Sequence, residues 1–385
     1  MRGRVSIAET LHQGIDDTAA KRRIAVVGPF PPIRSGIARH TEAVARTFEA
    51  RLGVRLRRWG FRRQFPGWLY PGNSERHPAQ NGAASGVTET LDGANPLSWE
   101  RTVREIAAWS PDLVIVPAWT FAIAPSLGWV SRRLAGKGVE TCMIVHNAYD
   151  HEAAFWKDRL TSWQLGAAGR FVTHNEALAG ELAARFPRRP AQVFPHPTFD
   201  DLPPARGRMK RRAGIELLFF GLVRPYKGLD VLLDAMAMVR RRDIALTIAG
   251  EFWQGLDETR KRIAGLGRED AIELLPRFVT DDEAAELFHR ADAVVMPYRA
   301  VSGSGVVATA CHYGRAVIAS DLPGLSGVVR HDETGWLFEA GNAAELAARI
   351  DRLDRDATRR AGEAAAAFSC ELSWYRFCDV LEEAP

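Results

Sequence analysis

The fold is decided by the stretch Leu217-Leu218-Phe219-Phe220-Gly221-Leu222-Val223-Arg224-Pro225-Tyr226-Lys227-Gly228-Leu229-Asp230. It opens with a short apolar run that ends at a glycine, which is typical of a buried parallel strand. A loop with two cations follows, and apolar residues then recur at helical spacing, namely Leu229, Leu232, Leu233, Met236 and Val239. The stretch therefore predicts a strand, a loop and a helix, which is the repeating unit of a parallel α/β sheet.

The same alternation of short apolar runs and helical patterns extends over most of the chain. In the second half, further strands are predicted at Ala245–Ala249, Ile272–Leu275, Ala293–Met296 and Ala316–Ala319. In the first half, strands are predicted at Arg23–Gly28, Asp112–Val116, Thr141–Val145, Phe171–Thr173 and Ala191–Phe194. Residues 66–98 are rich in Gly, Pro, Asn and Ser, and we interpret them as a long loop with little regular structure. Both halves predict an α/β fold with a doubly wound parallel sheet in each.

A proline-rich break divides the chain into two parts. At roughly 150 residues per domain, its 385 residues suggest two domains, and the prolines around Pro195-His196-Pro197 place a linker near 196–206. We predict a disordered leader at 1–21, an N-terminal Rossmann-like domain at 22–195 and a C-terminal one at 206–365. The tail, 366–385, has the apolar spacing of an amphipathic helix, and we predict that it docks back on the N-terminal domain.

Composition and charge exclude several classes of protein. Hydrophobic residues are 46% and charged residues 25% of the chain, which is ordinary for a globular protein. The formal charge of +4 is small, and the arginine runs indicate either solvated surface or weak contacts with phosphates and anionic lipids. No basic motif interleaved with aromatic residues is present, so no nucleic-acid partner is expected. Without an apolar signal segment or a bilayer-spanning run, we expect a cytoplasmic protein whose membrane contact, if any, is peripheral to the inner face.

Two cations lie where a parallel sheet binds ligands. Arg224 and Lys227 follow a strand and precede a helix, and ligands of open α/β sheets bind at the carboxyl ends of the strands. The helix N-terminus adds free N–H groups and positive potential, so the pair is suited to a diphosphate. The alternative is that both side chains are solvated loop cations.

Two glycine-containing loops occupy equivalent positions after other strands. Ser302-Gly303-Ser304-Gly305 leads into a helix that starts at Val306, and its glycines would let backbone amides approach a phosphate. The alternative is a flexible helix start. In the first half, Gly36 ends the loop 28–36 where a helix begins, so it could receive a phosphate or sugar from the other domain. No GxGxxG pattern is present there, so a tight dinucleotide-binding turn is not supported.

His146 directly follows the strand Thr141–Val145 and is therefore expected in the cleft region. The alternative is a buried histidine with its hydrogen bonds satisfied. A metal site of His146, His151 and Glu152 is the weaker interpretation, because the spacing of the two histidines does not match a helical ligand pair. The four cysteines form no CxxC pair. The sequence therefore predicts no metal site.

Several segments together resemble the retaining, GT-B-fold glycosyltransferases of family 4. The resemblance covers roughly residues 22–380 and is carried by Phe220–Asp230, Ala249-Gly250-Glu251, Ala291–Pro297, Gly314–Asp321, the Thr334–Phe338 turn, and the N-terminal Gly28–Pro32 with Ser35-Gly36-Ile37. It implies two Rossmann-like domains that face each other across a cleft. It also implies a nucleoside-diphosphate sugar as substrate, with no cofactor and no metal.

The resemblance also implies roles for individual residues. Arg224 and Lys227 match the basic pair that holds the donor diphosphate, and His146 matches a histidine near the donor sugar. The other implied contacts are Gly36 and Ser302, Gly303, Ser304, Gly305 and Val306 for the sugar and phosphates, and Arg277, Phe278, Val279 and Thr309 for the nucleoside. Many members carry two glutamates where this chain has Val301 and Thr309. Thr309 keeps a hydroxyl for ribose but has no charge.

The function predicted from these features is retaining transfer of a sugar to an acceptor hydroxyl, with His146, Arg224 and Lys227 as the catalytic group. Glycan, lipid-linked and small-molecule acceptors are equally compatible with the sequence. Two alternatives remain open: a phosphorylase or epimerase on the same architecture, and a nucleotide-sugar-binding protein without transferase activity. The second is motivated by Val301 and Thr309.

Overall fold

A computed structural model of the chain describes residues 21–33, 35–65, 76, 86–147, 155–199, 201–301 and 303–383. Within them the chain forms two wholly parallel sheets with helices on both faces, one in each half. The predicted leader at 1–21 lies almost entirely outside the described residues, as do Ser302, His151 and Glu152.

The N-terminal sheet has seven strands in the order β3-β2-β1-β4-β5-β6-β7. The strands are β1 Arg22–Gly28, β2 Val54–Arg63, β3 Val87–Asp92, β4 Leu113–Ala118, β5 Glu140–Val145, β6 Arg170–Thr173 and β7 Ala191–Val193. The helices between them are α1 Gly36–Glu49, α2 Pro96–Trp109, α3 Ala124–Ala135, α4 Phe155–Leu165 and α5 Glu176–Arg185. The strand order reverses direction between β1 and β4, as in a doubly wound sheet.

The C-terminal sheet has six strands in the order β10-β9-β8-β11-β12-β13. The strands are β8 Ile215–Phe220, β9 Ile244–Ala249, β10 Ile272–Leu275, β11 Ala293–Met296, β12 Ala316–Ser320 and β13 Gly335–Phe338. The helices are α6 Leu229–Met238, α7 Leu256–Ala264, α8 Asp281–Arg290, α9 Gly305–His312, α10 Pro323–Ser326, α11 Ala343–Asp351, α12 Arg355–Ser369 and α13 Trp374–Glu382. Short 3-10 turns lie at Pro225–Lys227 and Glu269–Ala271.

Each domain is stabilised by apolar side chains that pack on both faces of its own sheet. In the central strands β4 and β9 every residue is buried, which explains why their sequences are continuous apolar runs rather than alternating patterns. Each sheet separates two clusters of buried side chains, one on each face, as expected for a layer of strands covered by helices on both sides.

Two secondary-structure predictions were wrong. Residues 66–98, interpreted as a loop, contain β3 and the start of α2, and β2 was not predicted at all. The segment Thr334–Phe338, named as a turn, contains β13, which pairs in parallel with β12. In β2 five arginines interrupt the apolar pattern, and in β13 the strand is only four residues long. Both patterns are weak because the strands lie at or next to a sheet edge, where only part of the strand is buried.

The last helix, α13, packs against the N-terminal domain. Its apolar face buries Trp374, Phe377 and Leu381 in the cluster formed by β1 and α1. Arg51 pairs with Glu382, and the Arg170 guanidinium donates to the backbone carbonyl of Leu381. The end of the chain is therefore fixed to the first domain, although it follows the second in sequence.

None of the helices described here combines the length and the apolar character needed to cross a membrane.

Candidate functional site

Two loops of the C-terminal domain flank the point where its strand order reverses. β8 and β11 are neighbours, and the chain leaves β8 toward β9 but leaves β11 toward β12. The loop after β8 comprises residues 221–228 and the loop after β11 comprises residues 297–304. Because such a switch point leaves a crevice at the carboxyl ends of the strands, it is the expected ligand site of an open α/β sheet.

Glycines shape the loop after β8. Gly221 has φ of 96° and Gly228 has φ of 65°, a region that side-chain-bearing residues rarely adopt. A Cβ atom on Gly228 would lie 1.9 Å from the carbonyl oxygen of Pro297, so only glycine allows the two loops to approach this closely. Arg299 strengthens the contact, since its guanidinium pairs with both carboxylate oxygens of Asp230 at 2.7 and 2.5 Å.

Lys227 is a buried ammonium with no carboxylate partner in the part of the chain that the structure describes. Its side chain is 8% exposed, and no carboxylate among the described residues lies within 4.0 Å of its Nζ or of the Arg224 guanidinium. Burial, and then the nearby Arg224 charge, lower the pKa of Lys227 to about 8. Arg224 stacks on the Trp253 ring, with 4.3 Å from its guanidinium carbon to the ring centroid. Two cations held together without an anion form a site suited to a phosphate-bearing ligand.

The start of α9 lies next to the ammonium group. A Cβ atom built on Gly221 would be 3.0 Å from Lys227 Nζ and 3.7 Å from Val306 Cγ2, so both groups border the same point. The Ser304 side chain caps α9 by accepting a hydrogen bond from the Val306 amide. The structure therefore brings the predicted cation pair and the predicted glycine loop into one site. Ser302, predicted in the same loop, lies outside the described residues.

The N-terminal domain meets this loop directly. A Cβ atom on Gly303 would lie 3.4 Å from Cβ of His174, and one on Gly305 would lie 3.4 Å from the Phe199 ring. Arg39, on α1, pairs with Asp281 at the start of α8 across the domain boundary at 3.4 Å. The two domains thus touch through the loop that precedes α9.

Gly36 is the first residue of α1, and its Cα faces open space. No atom of the described residues lies within 4 Å of a Cβ built there. Ser35 caps the helix through its side chain, which accepts a hydrogen bond from the Ala38 amide. A ligand group could therefore approach the start of α1 closely, as the sequence predicted.

His146 lies in a cluster of four histidines. Its ring is 4.6 Å from the His40 ring and 5.2 Å from the His174 ring, measured between centroids. His196 lies 5.2 Å from His40 and 5.1 Å from His174. Burial first, and then the neighbouring imidazoles, lower the pKa of His40, His146 and His174, the last to about 3. The cluster is therefore neutral at pH 7.

Among the described residues, the hydrogen bonds of Arg277 and Thr309, two of the four residues predicted to contact the nucleoside, do not reach the cation pair. Arg277, Phe278 and Val279 follow β10, which is separated from β8 by β9. Arg277 pairs with both oxygens of Glu283 at 2.8 and 2.6 Å. The Thr309 hydroxyl donates to the Gly305 carbonyl oxygen at 2.8 Å, so its proton is already used within α9. Their assignment to a nucleoside stays a prediction.

Sequence reasoning missed three of the four histidines and Arg39. A signal was present in the chain, because His146 and His174 directly follow β5 and β6 and His196 lies three residues after β7. Adjacent parallel strands bring residues at their carboxyl ends together. His40 had no such signal, since it lies inside α1 and reaches the cluster only through the packing of that helix.

Part of the chain is similar in sequence to known proteins. Residues 214–356 match the family described as glycosyl transferases group 1. A D-inositol 3-phosphate glycosyltransferase of Streptomyces bingchenggensis is 32% identical over 232 residues, which are 54% of this chain and 51% of that protein. The chain thus spans about half the length of the curated relatives of this kind.

Solved structures match over nearly the whole chain. Sucrose-phosphate synthase of Thermosynechococcus elongatus superimposes with a TM-score of 0.71 at 16% identity, covering 94% of this chain and 97% of that one. Anabaena HepE, solved with UDP and glucose, gives a TM-score of 0.72 at 15% identity and covers 94% and 99%. At such low identity the likeness concerns the fold, and it confirms the predicted GT-B architecture.

Proposed function

We propose that this chain, whose residues 214–356 match the glycosyl transferases group 1 family, transfers a sugar from a nucleoside-diphosphate sugar to an acceptor hydroxyl. The resemblance to the retaining glycosyltransferases of family 4 implies that the sugar keeps its anomeric configuration. The observation that carries the proposal is the buried Lys227 ammonium beside Arg224, which has no carboxylate partner among the described residues.

The cation pair suits the departing diphosphate. When the bond between sugar and phosphate breaks, negative charge develops on the leaving group, and preorganised donors in a partly dry site stabilise that charge. The pair acts here in place of a metal ion, and the start of α9 adds backbone amides. A diphosphate bound there also relieves the unfavourable burial of the ammonium, so the charge that destabilises the free site favours the complex.

The N-terminal domain supplies the opposite wall. Gly36 leaves room at the start of α1, and the contact of Gly303 with His174 joins the two walls. The His146 ring lies 5.2 Å from that of His174, measured between centroids, and we assign His146 to the sugar side of the cleft. Closing the domains on the donor would exclude water and limit its hydrolysis.

The donor base and the acceptor are proposed only as classes. Anabaena HepE was solved with UDP and glucose, which makes UDP the first nucleotide to test. The Streptomyces relative is named for an inositol phosphate acceptor, which makes a phosphorylated polyol the first acceptor to test.

The test begins with a thermal-shift screen of the chain against UDP, GDP, ADP and TDP, since a ligand of the folded state raises its apparent stability. Turnover is then measured with the sugar of the nucleotide that binds. The double variant Arg224→Ala/Lys227→Ala should lose at least about 100-fold in turnover while keeping its circular dichroism spectrum. Lys261→Ala, an exposed lysine on α7, is the matched control. Turnover of the double variant at the wild-type rate would remove the proposed site.

A second candidate function is nucleotide-sugar binding without transfer. Thr309 favours this function, because its hydroxyl already donates a hydrogen bond to the Gly305 carbonyl oxygen. Its side chain also has no charge that could hold a ribose. Tight binding of a nucleoside diphosphate, with no product from any donor and acceptor in the panel, would support it over the transferase.

We also propose peripheral contact with the cytoplasmic face of a membrane through the first turn of α4. Phe155 is 77% and Trp156 is 55% exposed there, and Arg159 adds charge next to them. Exposed aromatic and basic residues on one helix suit an anionic interface. Co-sedimentation with anionic but not zwitterionic vesicles, weakened in Trp156→Ala, is the expected result. If the wild-type chain and Trp156→Ala were recovered equally with anionic and zwitterionic vesicles, the proposed membrane contact would be contradicted.

A further inference from the structure

We propose that His40, His146 and His174 bind a divalent transition-metal ion, most suitably Zn²⁺, in the N-terminal domain. The candidate ligand atoms of the three side chains all lie within 4.8 Å of one another. They come from α1 and from the ends of β5 and β6, and His196 borders the same group. The site is separate from the cation pair but includes His146, which is assigned above to the sugar side of the cleft. Metal content can be measured whether or not the chain transfers a sugar.

Four ring nitrogens of this cluster have no hydrogen-bond partner among the described residues. His40 is 1% exposed, and neither of its ring nitrogens has a hydrogen-bond partner. The same holds for Nε2 of His146 and Nε2 of His174. Buried polar atoms are nearly always hydrogen-bonded, because leaving one unsatisfied costs about 1–3 kcal/mol. A metal ion bound by one nitrogen of each ring would satisfy three of these four atoms.

In His174 and His196, a hydrogen bond at Nδ1 fixes the tautomer and leaves the lone pair on Nε2. Nδ1 of His174 lies 2.9 Å from the carbonyl oxygen of Phe194, and Nδ1 of His196 lies 2.8 Å from that of Pro197. A carbonyl can only accept, so both Nδ1 atoms carry the proton and both Nε2 atoms keep a lone pair. Metal-binding histidines use the same arrangement, in which the second ring nitrogen donates to a carbonyl and fixes the tautomer.

The donor set selects the class of metal. Imidazole nitrogen suits zinc, copper, iron and nickel, whereas magnesium and calcium prefer oxygen. Three histidines leave a fourth tetrahedral position, which His196 or a solvent molecule would fill. With Zn–N bonds of about 2.1 Å, tetrahedral ligand nitrogens are about 3.4 Å apart. The ligand nitrogens, now up to 4.8 Å apart, would therefore move closer by up to about 1.4 Å when the metal binds.

The metal would join α1 to two strands directly beneath the Gly303 loop, because a Cβ atom on Gly303 would touch His174. It would therefore stabilise the N-terminal side of the domain contact.

The experiment measures metal content in the full chain, prepared without a histidine tag. The protein is stripped with a chelator, reloaded with ZnCl₂ at micromolar free concentration, desalted and analysed by mass spectrometry. We expect one equivalent of Zn²⁺, a higher melting temperature on loading, and visible absorption bands from a low-symmetry site when Co²⁺ replaces Zn²⁺. No retained metal in the wild-type chain would overturn the proposal.

Variants locate the bound metal. His40→Gln and His174→Gln should each weaken Zn²⁺ binding by at least about 100-fold, because each removes a ligand. His289→Gln, an exposed histidine on α8, should retain the full equivalent. Retention of one equivalent by both cluster variants would show that the metal binds elsewhere and would refute the site. Binding of nucleoside diphosphates, measured separately, distinguishes failure of this inference from failure of the transferase proposal.

Discussion

Replacing Lys227 with methionine should make the protein more stable while removing its ligand site. Methionine has a similar length and no charge, so Lys227→Met eliminates the buried ammonium with little change in packing. The pKa of Lys227 is lowered from its ordinary value of 10.5 to about 8, first by burial and then by Arg224. At about 1.4 kcal/mol per pH unit, this difference corresponds to about 3 kcal/mol of destabilisation at pH 7.

The sign of the effect depends on pH. Between pH 8 and 10.5 the unfolded chain holds the Lys227 proton more tightly than the folded chain, so wild-type stability increases as pH rises through that window. The methionine variant has no such dependence at this position. Its advantage should therefore be at most about 3 kcal/mol at pH 7 and should approach zero near pH 10.5.

Urea denaturation at pH 7 and at pH 9.5, followed by tryptophan fluorescence, measures the difference. Lys261→Met serves as the control, because that lysine is exposed on α7 and its replacement should change the free energy of unfolding by less than about 0.5 kcal/mol. The variant should also fail to bind the nucleoside diphosphate that binds the wild type. A variant less stable than wild type at pH 7, or an advantage that persists unchanged at pH 9.5, would refute the reasoning.

Two further outcomes are expected. The affinity for a nucleoside diphosphate should be constant from pH 7 to 8 and then fall by up to about tenfold per pH unit as free Lys227 loses its proton; calorimetric titration measures this, and equal affinities at pH 7.5 and 9.5 would contradict it. Gly228→Ala should lower the free energy of unfolding by more than about 1 kcal/mol in urea titrations, because the added Cβ would meet the Pro297 carbonyl oxygen at 1.9 Å. Gly265→Ala, whose added Cβ would lie 3.5 Å from the Lys261 carbonyl oxygen, should be tolerated, and equal losses in the two variants would count against the steric explanation.

The parallel strands with continuous apolar runs could be predicted because burial on both faces leaves a clear pattern in sequence. The prediction failed for β2, where Arg55, Arg57 and Arg58 interrupt the run. Arg58 is nevertheless buried, and it pairs with Glu49 of α1 at 2.8 Å. That pairing is a tertiary contact, and no local pattern in the sequence encodes it.

The candidate site was predictable only in part. Arg224, Lys227 and the glycine loop before α9 each follow a strand, and their convergence is a consequence of strand order at the switch point. The histidine cluster joins residues that are up to 156 positions apart, from His40 to His196. Two of its members could have been inferred from their positions after β6 and β7, but His40 depends on how α1 packs.

The most direct measurement is a crystal structure of the chain with the nucleoside diphosphate that binds it. The account predicts phosphate oxygens within about 3.2 Å of Lys227 Nζ and of the Arg224 guanidinium, with the start of α9 beside them. A diphosphate bound elsewhere, with both cations pointing into solvent, would contradict it.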